Sequence, residues 1–141
     1  MENFSQILLC ILGTFAFAIT MNAPKKSLML IIIGSAITAA TENIIASRYN
    51  EFTACLTAML ELFIFCEISA KLTKQPTTVI LMPSTIPLLP GSSIYYTMLY
   101  AIQNNRELMI YNAKNTLFAG LGIALGAVIG SAVLTLIRRN E

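Results

Sequence analysis

Apolar residues run along this chain in long blocks separated by short polar ones, and the length of the blocks is the first structural signal. Five of them, about 4–22, 27–47, 51–73, 77–103 and 115–137, reach the ~20 residues an α-helix needs to cross a ~30 Å hydrocarbon layer. The segments Asn22-Ala23-Pro24-Lys25-Lys26, Arg48-Tyr49-Asn50 and Lys74-Gln75-Pro76 between the first four read as helix-to-helix turns. The pattern predicts an all-α, polytopic membrane protein of five transmembrane helices. A single domain over residues 1–141 is expected, because no linker is long enough to divide it.

The fourth block departs from the others. Pro83, Pro87, Pro90 and Gly91 interrupt it. A proline has no amide donor and its ring clashes with the carbonyl four residues back, so the fourth helix is expected to break over these four positions. Met82, Ile86 and Leu89, each before a proline, are pushed toward extended backbone. In lipid an unpaired backbone polar group is costly, so a break of this kind is expected inside protein or beside a watery cavity.

Composition agrees with the block pattern. Of 141 residues 56% are hydrophobic and 11% charged, and His, Asp and Trp are absent; soluble domains carry roughly 25% charged residues. Mean hydropathy is +0.72. A net charge of +2, with nine Lys and Arg scattered along the chain, argues against a nucleic-acid surface. Cys10, Cys55 and Cys66 stand singly in apolar stretches, without metal-ligand spacing, and read as small buried hydrophobes. Ala16-Phe17-Ala18 resembles a signal-peptidase site, but Glu2 and the lack of a basic leader favour a retained first span.

With the amino terminus outside, Lys25, Lys26, Lys71, Lys74, Arg138 and Arg139 fall on the cytoplasmic side, against Arg48, Arg106 and Lys114 outside. That bias favours an external amino terminus and a cytoplasmic carboxyl terminus in the cell membrane. In the fifth block Gly122, Gly126 and Gly130 form two overlapping G-x-x-x-G steps, a stripe on which another helix backbone can approach closely, within the fold or in a complex.

Two groups of residues carry candidate chemistry. Ser92 and Ser93 precede a periodic run through Tyr95, Tyr96 and Met98, so a second half-helix is expected to start there with a serine cap. Its free amides and positive dipole end suit a carboxylate, and the bland alternative is a kink with no ligand. Glu61 lies ~15 Å into the third block, near the bilayer centre, where a carboxyl is expected to be neutral or paired. Thr57 and Ala58 one turn back suggest that it faces protein. It is the first candidate for proton coupling, and a hydrogen bond to a neighbouring helix is the equal alternative. Glu42, ~7 Å from the end of its block and on a stripe with Gly34 and Thr38, is the second. Glu67 precedes Lys71 by one turn, which an exposed ion pair explains. With no His, no Asp, no metal cluster and no phosphate loop, neither an enzyme nor a cofactor is expected.

The stretch from Phe15 to Lys26, the string from Pro83 to Gly91 and the following Tyr95 resemble the threonine/serine exporter (ThrE-like) family, in its small-subunit, split-type branch. The Ile86-Pro87-Leu88-x-Pro90-Gly91 string is the most specific element, and the resemblance covers nearly the whole chain. It implies a five-span module working with a larger membrane subunit, and export of threonine and serine or, in a split-pair branch, succinate. Asn22 and Pro24 match the family's first turn, and Pro87, Pro90, Gly91 and Tyr95 match its signature.

The leading expectation is therefore a subunit of a secondary exporter for a small carboxylate-bearing metabolite. Pro87, Pro90, Gly91, Ser92, Ser93 and Tyr95 would line its site. The rival is a stabilising subunit that recruits its partner through the Gly122, Gly126 and Gly130 stripe and never touches substrate. A homo-oligomeric channel is a third reading, without a visible polar stripe to line its pore. A higher oligomer is compatible with each.

Overall fold

The computed structural model describes residues 2–139, with side chains from 8 to 135; the side chains of Glu2, Arg138 and Arg139 lie outside the described residues. Among the described residues all regular structure is helical: α1 (Glu2–Thr20), α2 (Lys25–Ala46), α3 (Glu51–Thr73), α4 (Thr77–Ser84), a 3₁₀ turn (Ile86–Leu88), α5 (Gly91–Ile102) and α6 (Arg106–Arg139). Three helices are long and apolar enough to cross a membrane, Lys25–Ala46, Glu51–Thr73 and Arg106–Thr135. The apolar helical stretches Leu8–Thr20 and Thr77–Leu88 are shorter.

The turns follow from their residues. Pro24 and Pro76 occupy the N-cap positions of α2 and α4, where a missing amide costs no helical bond and a fixed φ of −58° or −60° points the chain into the next helix. Asn22, Lys74 and Asn104 adopt left-handed backbone with φ of 53–55° where α1, α3 and α5 end. Asparagine tolerates that region well, and Lys74 satisfies the end of α3 by donating its N–H to Ala70 O.

Helix α6 begins at Arg106, earlier than the apolar block at 115. Arg106, Glu107, Leu108 and Met109 are good helix formers, and the Asn105 side chain accepts the Leu108 N–H at 3.3 Å. Its 34 residues extend ~51 Å, longer than the hydrocarbon layer, so hydropathy marks only its apolar part.

Helix α3 is the centre of the packing and touches α2, α4 and α6. Ala54, Ala58, Leu62, Cys66 and Ala70 repeat every four residues along it and are buried, as are Cys55 and Met59. Ala18, Ile31, Ile80 and Leu88 close the core from α1, α2, α4 and the 3₁₀ turn. The glycine stripe of α6 rests on α3. A Cβ added at Gly122 would lie 2.6 Å from Phe52 O, at Gly126 2.8 Å from Met59 Cβ, and at Gly130 2.8 Å from Phe63 Cγ. The close approach is thus made within the chain.

Several of the small polar residues in the interior bond to backbone. Thr38 donates to Gly34 O at 2.7 Å, Ser35 to Ile32 O at 2.9 Å, and Ser84 reaches from α4 to Ile31 O of α2 at 3.3 Å. Gly34 makes room for this last contact, since a Cβ there would stand 3.1 Å from Phe65 and 3.2 Å from Ser84 Oγ. The expected exposure of Glu67 is corrected. It is 5% exposed, and Thr77 Oγ1 of α4 donates to its carboxylate at 2.8 Å. Thr77→Val removes that donor from a buried carboxyl and should cost about 1–3 kcal/mol. Thr77→Ser, which keeps the hydroxyl, should unfold within a few degrees of wild type in the same detergent.

Candidate functional site

The segment from Thr85 to Pro90 separates α4 from α5. Pro83 is inside α4, which corrects its assignment as a breaking residue: the helix continues for one residue past it and ends at Ser84. Pro87 lies in the 3₁₀ turn, Leu89 is extended with ψ 124°, and Pro90 holds the N-cap of α5. Gly91 is the first residue of α5 and has no positive φ, so a special glycine conformation is not what the site uses. The 3₁₀ turn packs against α1, α2, α3 and α4, with Leu88 in the core.

The expected serine caps are also corrected. Pro90 occupies the cap, no side chain caps α5, and both serines fall in its first turn. With φ fixed by its ring, Pro90 sets the start of the helix, and Ser92, two residues on, is already inside the first turn. The backbone consequence survives without the serine hydroxyls. Gly91 N–H bonds Leu89 O at 2.7 Å and Ile94 N–H bonds Pro90 O at 3.0 Å, and between them the amides of Ser92 and Ser93 have no backbone acceptor among the described residues. Ser92 is exposed, whereas Ser93 is 8% exposed and its carbonyl accepts from Thr97 Oγ1 at 2.6 Å. Tyr95 and Tyr96 are exposed and pack edge to face at 5.4 Å, and Tyr96 stacks on Tyr100 at 6.0 Å.

The carboxyls take three different places. Glu61 is exposed on α3, and Thr41 Oγ1 of α2 donates to its Oε2 at 2.7 Å. It therefore shares the outward face of Thr57, four residues back, and not the buried face of Ala58. Glu42 is half-buried and within electrostatic reach of Glu51, on a helix whose Gly34 and Thr38 are buried. Glu67 is the buried anchor of α4 already described.

Two cavities bring distant residues together. One of about 480 Å³ is lined by Asn22, Pro24, Val79, Met82 and Pro83, so the first turn and the start of the proline-rich string meet there. A larger one, of about 760 Å³, opens between the α2–α3 connection and α6, with Tyr49, Asn50, Glu51, Tyr111 and Asn115 on its walls. In the sequence Tyr49 and Asn50 belong to a turn, and Tyr111 and Asn115 stand at the edge of the last apolar block with no motif to mark them. Their spacing of four residues on one helix face was the available signal.

A family model described as Threonine/Serine exporter, ThrE matches residues 6–133. Comparison with curated proteins and with solved structures gives no match.

Proposed function

The chain belongs to the threonine/serine exporter family, and from that premise we propose that it is one subunit of a secondary exporter for a small carboxylate-bearing metabolite. Threonine or serine is the first substrate, and a dicarboxylate such as succinate the alternative. In this reading α1 and the α4–α5 unit cross the cell membrane along with α2, α3 and α6, the amino terminus is outside, and a larger membrane subunit completes the path.

The observation that carries the proposal is the pair of unpartnered amides at Ser92 and Ser93, at the head of α5 in the middle of an apolar segment. Amides at a helix start, with the positive end of its dipole, hold anions. Broken helices in transporters present such ends to the anionic group of a substrate. Ser92→Pro tests it directly. The substitution removes one amide in the first turn, where no helical bond is lost, and Gly91 before it offers no Cβ to the proline ring. Flux through the reconstituted exporter should fall about tenfold or more, the value of one charge-assisted hydrogen bond. Ser92→Ala, which keeps the amide, should stay near wild type. Unchanged flux in Ser92→Pro would sink the carboxylate site.

The partner is supported by a second observation. Thr57, Glu61, Ile64, Ile68 and Leu72 form one exposed stripe along α3, with a carboxyl ~15 Å from the start of the helix. Lipid is a poor neighbour for that group, and a protein helix with a hydrogen-bond donor is a good one. The same stripe favours the stabilising-subunit reading if Ser92→Pro leaves flux intact.

A further inference from the structure

The 760 Å³ cavity is formed by residues to which the carboxylate site assigns no task. Its size falls within the ~300–1,000 Å³ that holds small metabolites. Its wall carries one carboxyl (Glu51), two amides (Asn50, Asn115) and two tyrosines (Tyr49, Tyr111), and among the described residues no Lys or Arg lines it. Asn50 stands at the N-cap of α3, where asparagine ordinarily binds first-turn amides, yet its side chain makes no such bond. The helix dipole accounts for an acid at Glu51, but it does not account for the open volume, the idle asparagine cap or the two tyrosines around it.

A dianion is repelled by such a wall. A protonated amine gains a charge-assisted bond to the carboxylate, amide oxygens for its remaining hydrogens, and aromatic faces for its charge. We propose that this cavity binds the protonated amino group of a small solute, with Glu51 as the charge that selects it. The inference deepens the exporter reading and rests on it for the size of the ligand. A carboxylate site at the head of α5 would not by itself separate an amino acid from a dicarboxylate; the Glu51 cavity, whose wall includes no residue of that site, would favour the solute that carries an amine.

The test is calorimetric titration of the full chain, purified from its own membrane with the subunit that accompanies it, using ethanolamine as an amine without a carboxylate and lactate as a carboxylate without an amine. Ethanolamine should bind wild type, and Glu51→Gln, a near-isosteric change on a partly exposed helix start, should weaken it about tenfold or more. Asn115→Ala should weaken it severalfold, and lactate should respond to neither. Absence of ethanolamine binding to wild type, or binding unchanged by both substitutions, overturns the proposal. Transport in the Ser92 assay reads the other reading separately. Ethanolamine bound through Glu51 in a protein that exports no amino acid or succinate supports the cavity and ends the exporter. Export with no Glu51-dependent binding ends the cavity site alone.

Discussion

Gly126→Leu is expected to leave little folded protein. A Cβ at this position would stand 2.8 Å from Met59 Cβ and 3.0 Å from Leu56 O, so the obstacle is largely the α3 backbone and the root of a side chain. Neither can move aside without separating the two helices. Overpacking costs ~1–3 kcal/mol in ordinary cores and more where nothing yields, so a loss of about 3 kcal/mol or more is the expectation here. The loss also spreads. In lipid, helices associate through close packing and not through a hydrophobic drive, and Gly122 and Gly130 use the same interface one turn to either side. Gly120→Leu is the matched control. It puts the same side chain on the same helix where nothing lies within 4 Å of the new Cβ, and should remain within about 0.5 kcal/mol of wild type. Thermal unfolding and size-exclusion profiles in one detergent compare the two. Equal stability would mean that α6 does not rest on α3 through these glycines.

The same pair shows what the sequence could and could not convey. A period of four among Gly122, Gly126 and Gly130 announces a close approach, but nothing in the period says which helix approaches; only the tertiary packing names α3. The burial of Glu67 is hidden for a related reason. Its four-residue spacing to Lys71 suggests an exposed pair, but does not say that α4 covers the carboxyl and brings the Thr77 hydroxyl to it. The residue type of Ser92 and Ser93 suggests caps, while Pro90, with only Gly91 between, fixes the start of α5 by its ring. Among the described residues the two amides of Ser92 and Ser93 lack a backbone acceptor whichever residue caps, so the carboxylate proposal does not depend on the serine hydroxyls. The cavity walls were illegible for a simpler reason: Tyr49–Glu51 and Tyr111–Asn115 lie about sixty residues apart and meet only because α6 folds back on α3.

Glu61→Leu should move two measurements in opposite directions, and that opposition decides where the partner sits. In the chain alone, Glu61 occupies the middle of an exposed stripe of α3 and is tied to the fold by one bond from Thr41. A carboxyl at the centre of a membrane helix costs ~2.5–3.5 kcal/mol on insertion scales, and leucine is favourable there. The isolated variant in bicelles should therefore gain about 2 kcal/mol, the lost bond to Thr41 offsetting part of the difference, since a threonine can turn its hydroxyl back to its own helix. In the assembled exporter the sign reverses. A donor on the partner helix that meets Glu61 would be left buried and unpaired by leucine, at a cost of about 1–3 kcal/mol, enough to reduce the recovered complex about tenfold. Gain in the isolated chain with loss of the complex identifies the Thr57–Leu72 stripe as the docking face. Gain in both leaves the stripe in lipid and moves the partner elsewhere. A loss in the isolated chain would show that the Thr41–Glu61 bond holds α2 to α3 more strongly than lipid exposure opposes it, making Glu61 an internal tie.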